Sequence, residues 1–258
     1  MMFNQALSLA IALAPSTLAA AGLSKINARV AGGNLAQPGE FPFLVAPTLN
    51  GERQWCGGTL LNAYTVLTAA HCSINVPAEN VTVRAGSVCW QSGGTVSNIT
   101  EIRIHPEYRP VVGQNDIAIW HLATPLQPSD TIGYAKVVPQ GYDPPLNLSA
   151  MTAGWGNTVE GQVEQGSAQL SWVNVPIVSR DECFALYNSA TQKELCAGGE
   201  EGKGSCPNDS GGPIWNPETL EIMGTVHSGG GCGLKGKPTL YTNLGALSDW
   251  VRYNMWSS

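Results

Sequence analysis

Short β-rich runs separated by turn residues recur along almost the whole chain, and they restrict it to a sandwich or a barrel. In the first half they are Phe43–Ala46, Thr59–Leu61, Thr65–Leu67, Val81–Arg84, Glu101–Ile104 and Ile117–Trp120. In the second half they are Gln169–Val175, Pro213–Trp215, Glu221–Val226 and Thr239–Thr242. Strands at this spacing stack as two sheets or close on themselves; they do not alternate with helices. Gln169–Val175 alternates polar with apolar side chains, as a strand with one covered face does. A single helix is expected, at the end, where Leu247, Trp250 and Val251 share a face after Gly245 and where Ser248 and Asp249 favour the first turn. The 258 residues suffice for two modest cores. The Pro-rich stretch Pro139–Pro145 is the expected seam, dividing the chain into halves at 30–140 and 141–258.

Charged residues make up only 12% of the chain, and 30 residues are glycine, which suits an exported all-β protein better than a cytosolic helical one. A net charge of −6 removes any electrostatic reason to expect nucleic acid or an anionic membrane as partner. Met1–Ala21 reads as a signal peptide: the apolar run Ala6–Ala14 is too short to span a bilayer, and Ala19–Ala21 offers small residues for cleavage. No later stretch is long and apolar enough for a membrane helix, so a secreted, extracellular product is expected. Seven cysteines fit an oxidising compartment, but their spacing does not assign partners, and the odd count leaves one over. Asn80, Asn98 and Asn147 head glycosylation sequons. Asn208 formally does too, but a glycan there would sit on the segment described next, and that sequon is expected to be unused.

Gly204-Ser-Cys-Pro-Asn-Asp-Ser-Gly-Gly-Pro213 gathers a serine, an acid, a cysteine and several glycines in a run with little helix or strand propensity. Such a run is entropically costly to hold in one shape. Leu67-Thr-Ala-Ala-His-Cys72 and Asn115-Asp-Ile-Ala-Ile119 add an imidazole and a carboxylate. Singly, His71 would read as a core histidine, Asp116 as a strand-start cap and Ser210 as a turn residue. In these contexts, and in the order His71, Asp116, Ser210, the chain from Val30 onward resembles the chymotrypsin/trypsin family of secreted serine endopeptidases.

The resemblance implies an all-β fold of two six-stranded antiparallel β-barrels with a C-terminal α-helix and the active site in the cleft between them. It pairs Cys56 with Cys72, Cys183 with Cys196 and Cys206 with Cys232. Cys89 is then either a small buried hydrophobe or an exposed thiol able to cross-link chains. Ser210 becomes the nucleophile, His71 its general base and Asp116 the group that orients the imidazole. The backbone N–H groups of Asn208 and Ser210 become the oxyanion hole. Asn208 stands where relatives carry glycine; asparagine is among the least costly substitutes should the site need a positive φ.

Arg29 and Val30 resemble a zymogen cleavage site, with residues 22–29 as propeptide and Asp209 as receptor for the freed Val30 ammonium. The specificity pocket falls to Gly204, Ser205, Gly229 and Thr239. Gly204 occupies the place of the aspartate that selects Lys or Arg in trypsin-like relatives, and Thr239 replaces a wall glycine. Small or medium uncharged P1 residues are expected first and large aromatics second. Self-activation at Arg29 is then inefficient, and a trypsin-like activating protease is implied as a partner besides protein or peptide substrates. His227-Ser-Gly229 replaces the usual Ser-Trp-Gly; His227 either substitutes a ring N–H for the serine contact to Asp116 or perturbs Asp116 when protonated. Ala85–Thr100 holds no Asp or Glu, so calcium is not expected there, and no metal or cofactor is required. A monomer is expected. The rival class is a catalytically impaired homologue that binds proteins with the same fold.

Overall fold

A computed structural model describes residues 31–157, 167–188, 190–229 and 231–256. The strands in chain order are β1 (Asn34–Leu35), β2 (Leu44–Leu49), β3 (Arg53–Gln54), β4 (Gly58–Asn62), β5 (Thr65–Thr68), β6 (Val81–Ala85), β7 (Thr95–Ile104), β8 (Ala118–Leu122), β9 (Lys136–Val137), β10 (Ser149–Gly154), β11 (Ser171–Pro176), β12 (Glu194–Gly198), β13 (Pro213–Trp215), β14 (Glu221–Gly229) and β15 (Pro238–Asn243).

The first sheet runs β3-β2-β4-β5-β8-β7-β6, and β2 also pairs with β6. That pairing closes six strands into a barrel, with β3 appended to its edge. The second sheet runs β1-β11-β10-β13-β14-β15-β12. A bridge between Ile177 and Ala197, with the Val178 N–H donating to the Cys196 carbonyl at 2.9 Å, joins the ends of its central six strands. Closure leaves neither ring with an open edge. The chain is therefore mostly β, built as two barrels with a short C-terminal helix. Strand β1 joins the second sheet despite its N-terminal position, and β9 lies parallel to β14 there.

Each barrel fills with the apolar side chains of its own runs. Val45, Leu60, Val66, Val83, Trp120 and Leu122 pack inside the first. Trp155, Ile214, Trp215, Met223, Tyr241 and Leu244 lie in the second, whose core continues to Phe43, Leu67, Ile117 and Ile119 at the seam. The inner end of the first barrel is pinned by the Trp120 indole donating to Ser73 Oγ at 2.8 Å.

Among the described residues two α-helices are present where one was expected. Helix α2 (Ser248–Asn254) follows a 3-10 turn at Leu244–Ala246, close to the place read from the sequence. Helix α1 (Arg180–Leu186) was missed. Its signal was local: Ser179 accepts from the Glu182 N–H at 3.2 Å, a Ser-x-x-Glu start, with Asp181 and Glu182 in the first turn. After α2 the chain crosses to the first barrel. The Trp256 carbonyl accepts from Asn62 Nδ2 at 2.8 Å, the Trp256 N–H donates to Thr65 Oγ1 at 3.2 Å, and its indole stacks on His121 at 4.1 Å.

Three disulfides form, Cys56–Cys72, Cys183–Cys196 and Cys206–Cys232, the pairs implied by the resemblance. Cys89 is free and half-buried. Among the described residues no helix is long and apolar enough to cross a membrane.

Candidate active site

Antiparallel register brings the first two candidates together. Strands β5 and β8 are neighbours with Thr68 opposite Ala118, so His71, just past β5, and Asp116, just ahead of β8, emerge at the same end of the barrel. Asp116 is fully buried. Its Oδ1 accepts the His71 backbone N–H at 2.8 Å and its Oδ2 lies 2.6 Å from His71 Nδ1. One carboxylate thus holds both the main chain and the ring of His71, fixing the imidazole with Nε2 as its free nitrogen. Thr242 of β15 donates to the Asp116 carbonyl at 3.0 Å, fastening this segment to the second barrel.

Ser210 comes from the second barrel. The N–H of Gly211 donates to Val226 at 2.7 Å, and that of Val226 returns to Gly212 at 2.8 Å. The Ser210 carbonyl accepts from Gly57 N–H at 2.7 Å and lies 3.6 Å from Cys72 Sγ, the residue after His71. Such closeness requires glycine at 211, where a Cβ would fall 2.2 Å from Thr68 Oγ1. The three candidates from distant parts of the sequence therefore meet at one seam.

Asn208 adopts φ +76°, the left-handed conformation that glycine usually supplies. Gln54, which the sequence reading did not single out, holds this turn: its Nε2 donates to the Cys56 carbonyl at 2.8 Å and to the Asn208 carbonyl at 3.0 Å. In the same loop the N–H groups of Asp209 and Gly212 are engaged, the first by Cys206 at 3.0 Å and the second by Asp209 at 2.9 Å.

Asp209 is buried, its carboxylate accepting from Gly156 N–H at 2.7 Å and Cys206 N–H at 2.8 Å. Burial pushes its carboxyl up to about 7, and the two backbone donors only partly oppose this. Gly154 and Gly156 leave room for it; a Cβ at residue 156 would come within 2.4 Å of the carboxylate. These two glycines were also missed, because nothing local marks a position that a distant side chain must approach. Arg29 and Val30 lie outside the described residues. Ala31, next in the chain, is buried and bridges to Gly204.

Gly204, Gly229 and Thr239 come together as well. Thr239 Oγ1 would lie 3.7 Å from a Cβ at either glycine. The Ser205 hydroxyl is buried, 3.1 Å from the Tyr241 hydroxyl and 3.4 Å from Thr152 Oγ1. For Tyr241, missed by the sequence reading, burial pushes the phenol up to about 12, so it stays neutral beside Ser205. A neutral hydroxyl cluster thus lies close to these residues.

His227 lies with its Nε2 3.6 Å from Asp116 Oδ2, the oxygen that also meets His71, and the two imidazole centroids are 6.3 Å apart. Ligand atoms of Cys56, His71 and Cys72 cluster within 4.8 Å, but both sulfurs are spent in a disulfide, so the group is no metal-binding set.

The Trypsin family profile matches residues 30–251. The chain is 33% identical to Trypsin alpha of Drosophila melanogaster over 232 residues, 89% of this chain and 88% of that protein. It is 36% identical to Trypsin 5G1 of Aedes aegypti over 232 residues, 88% of this chain and 85% of the mosquito protein. It is 35% identical to a bacterial Trypsin of Saccharopolyspora erythraea over 223 residues, 85% of this chain and 95% of the bacterial one.

Proposed function

Because this chain belongs to the trypsin family and is a serine endopeptidase, we propose that it is secreted and cuts peptide bonds through Ser210, His71 and Asp116 by way of an acyl-enzyme. Ser210 Oγ attacks the scissile carbonyl carbon while its proton passes to His71 Nε2. His71 then gives that proton to the leaving amine as the C–N bond breaks, and water repeats the sequence to release the acid and restore Ser210. The observation that carries this reading is the double hold of Asp116 on His71, with the Ser210 carbonyl fastened beside it.

The N–H groups of Asn208 and Ser210 form the oxyanion hole, each donor worth roughly 3 kcal/mol of barrier. Engagement of the N–H groups at 209, 211 and 212 elsewhere supports this choice. Without an acid at Gly204, a Lys or Arg side chain would lose its hydration unpaired, and Thr239 narrows the recess. The enzyme therefore prefers small or medium uncharged P1 residues, with large aromatics second, whatever the relatives named trypsin accept.

Cleavage after Arg29 frees the Val30 ammonium to pair with Asp209. The seat of Ala31 against Gly204 and the raised Asp209 carboxyl, which a cation would relieve, support this switch. Since the pocket rejects arginine, a trypsin-like protease makes the cut. The secreted product is read as a monomer, with glycans on the exposed Asn98 and Asn147 and on Asn80.

Chain activated after Arg29 is offered a peptide library randomised at P1, alongside Ser210→Ala. Cleavage after uncharged residues by the parent alone is expected. Strong Lys or Arg preference would overturn the pocket assignment, and an active Ser210→Ala would overturn the nucleophile.

A further inference from the structure

Asp116 faces two imidazoles. His71 Nδ1 lies 2.6 Å from Oδ2, and His227 Nε2, carried by β14 of the other barrel, lies 3.6 Å from the same oxygen. The His227 side chain is only 13% exposed, and its Nδ1 is enclosed with no hydrogen-bond partner among the described residues. A buried lone pair without a donor is tolerated better than a buried N–H without an acceptor. The neutral ring therefore carries its proton on Nε2, facing the carboxylate. At 3.6 Å the contact is electrostatic in the resting enzyme, the kind of approach that tightens when substrate closes a site.

The ring fits because residue 113 has no side chain. Gly113 sits at φ +71°, closing a turn through its N–H to the Arg109 carbonyl at 2.7 Å. A Cβ there would fall 2.1 Å from His227 Nε2 and 2.2 Å from Cε1. The large ring at 227 and the bare backbone at 113 are thus complementary, from opposite barrels.

We propose that His227 is a positioning residue that acts through Asp116: its neutral Nε2–H, seated by Gly113, holds the carboxylate in line with His71 during proton transfer. This rests on the reading of His71, Asp116 and Ser210 as the reacting set. The charged and titratable groups that act on the ring are Asp116 ahead of β8, His71 after β5 and Glu194 on β12, and the 109–113 turn meets it at Gly113. Burial dominates and holds His227 below the ordinary histidine range; Asp116 and Glu194 oppose this, and His71 adds to it. His227 is therefore neutral while the enzyme works. Below that range its second proton draws the carboxylate away from His71.

The test compares His227→Gln, His227→Leu, His227→Ser, Gly113→Ala and the His227→Ser/Gly113→Ala double variant. All are normalised to sites labelled by diisopropyl fluorophosphate; an unlabelled parent would sink the Ser210 reading instead of this one. Glutamine keeps an N–H at similar reach without titrating, so it retains most of kcat, whereas leucine loses roughly tenfold in kcat with KM little changed, a fraction of what general acid–base catalysis contributes. In the parent, log kcat/KM steepens from a one-proton to a two-proton slope at the acid end; in His227→Gln it stays at one. Gly113→Ala costs roughly tenfold alone by displacing the ring, but under about twofold on top of His227→Ser. Equal losses in glutamine and leucine, an acid limb unchanged by His227→Gln, or an additive double variant would each overturn the proposal.

Discussion

Two aspartates, one in each barrel, are buried to almost the same degree, yet they live in different company. Asp116 has a backbone N–H and two imidazoles around it, whereas Asp209 has two backbone N–H groups and no cation among the described residues. The first carboxylate is completed by the fold itself. The second is left with a raised proton affinity, as a buried acid must be when nothing positive meets it. Burial alone therefore does not say what a carboxylate does; the source of its compensating charge does. Asp116 draws on partners the fold always supplies, and Asp209 suits a partner delivered later.

That contrast can be broken by experiment. The largest effect is expected from Asp116→Asn, which keeps the shape but spoils the tautomer of His71; kcat should fall by about 10⁴, measured on serine-titrated enzyme with intact folding. Asp209→Asn in the chain cleaved after Arg29 should cost less, roughly 10²-fold in kcat/KM, through a misplaced loop. An equal loss in both would mean that the two acids serve one role.

The smallest and most diagnostic effect concerns pH. The folded-state pKa of Asp209 lies above its unfolded value, so its contribution to stability is full below the ordinary carboxylate range and is lost as pH rises through about 7. The melting temperature of the uncleaved chain should drop by a few degrees across that interval. Asp209→Asn should flatten the profile, and cleavage after Arg29 should flatten it too. A cleaved chain with the same slope as the uncleaved one would refute the pairing with Val30.

What could be read from the sequence follows the range of the interactions. Strands such as Val81–Arg84 and Glu221–Val226 announce themselves through local composition, and the segments around His71, Asp116 and Ser210 carry their chemistry in a few adjacent letters. Asn208 was legible because asparagine in place of glycine already points to a positive φ. Gln54, Gly154, Gly156, Gly113 and Tyr241 were not, since each matters only through a partner remote in sequence. Helix α1 was legible and passed over: the Ser179–Glu182 start was there, in a segment too short to show helical periodicity.

The chain ends bear on how the molecule is made. Strand β1 is stitched to the second barrel, and Trp256 is fastened to Asn62 and Thr65 of the first. Each half is thus latched by a segment that belongs in sequence to the other. During synthesis the first barrel gains its fastening at Asn62 and Thr65 only once Trp256 has been added. Afterwards the two halves should melt in one cooperative step, since opening either one unfastens its neighbour.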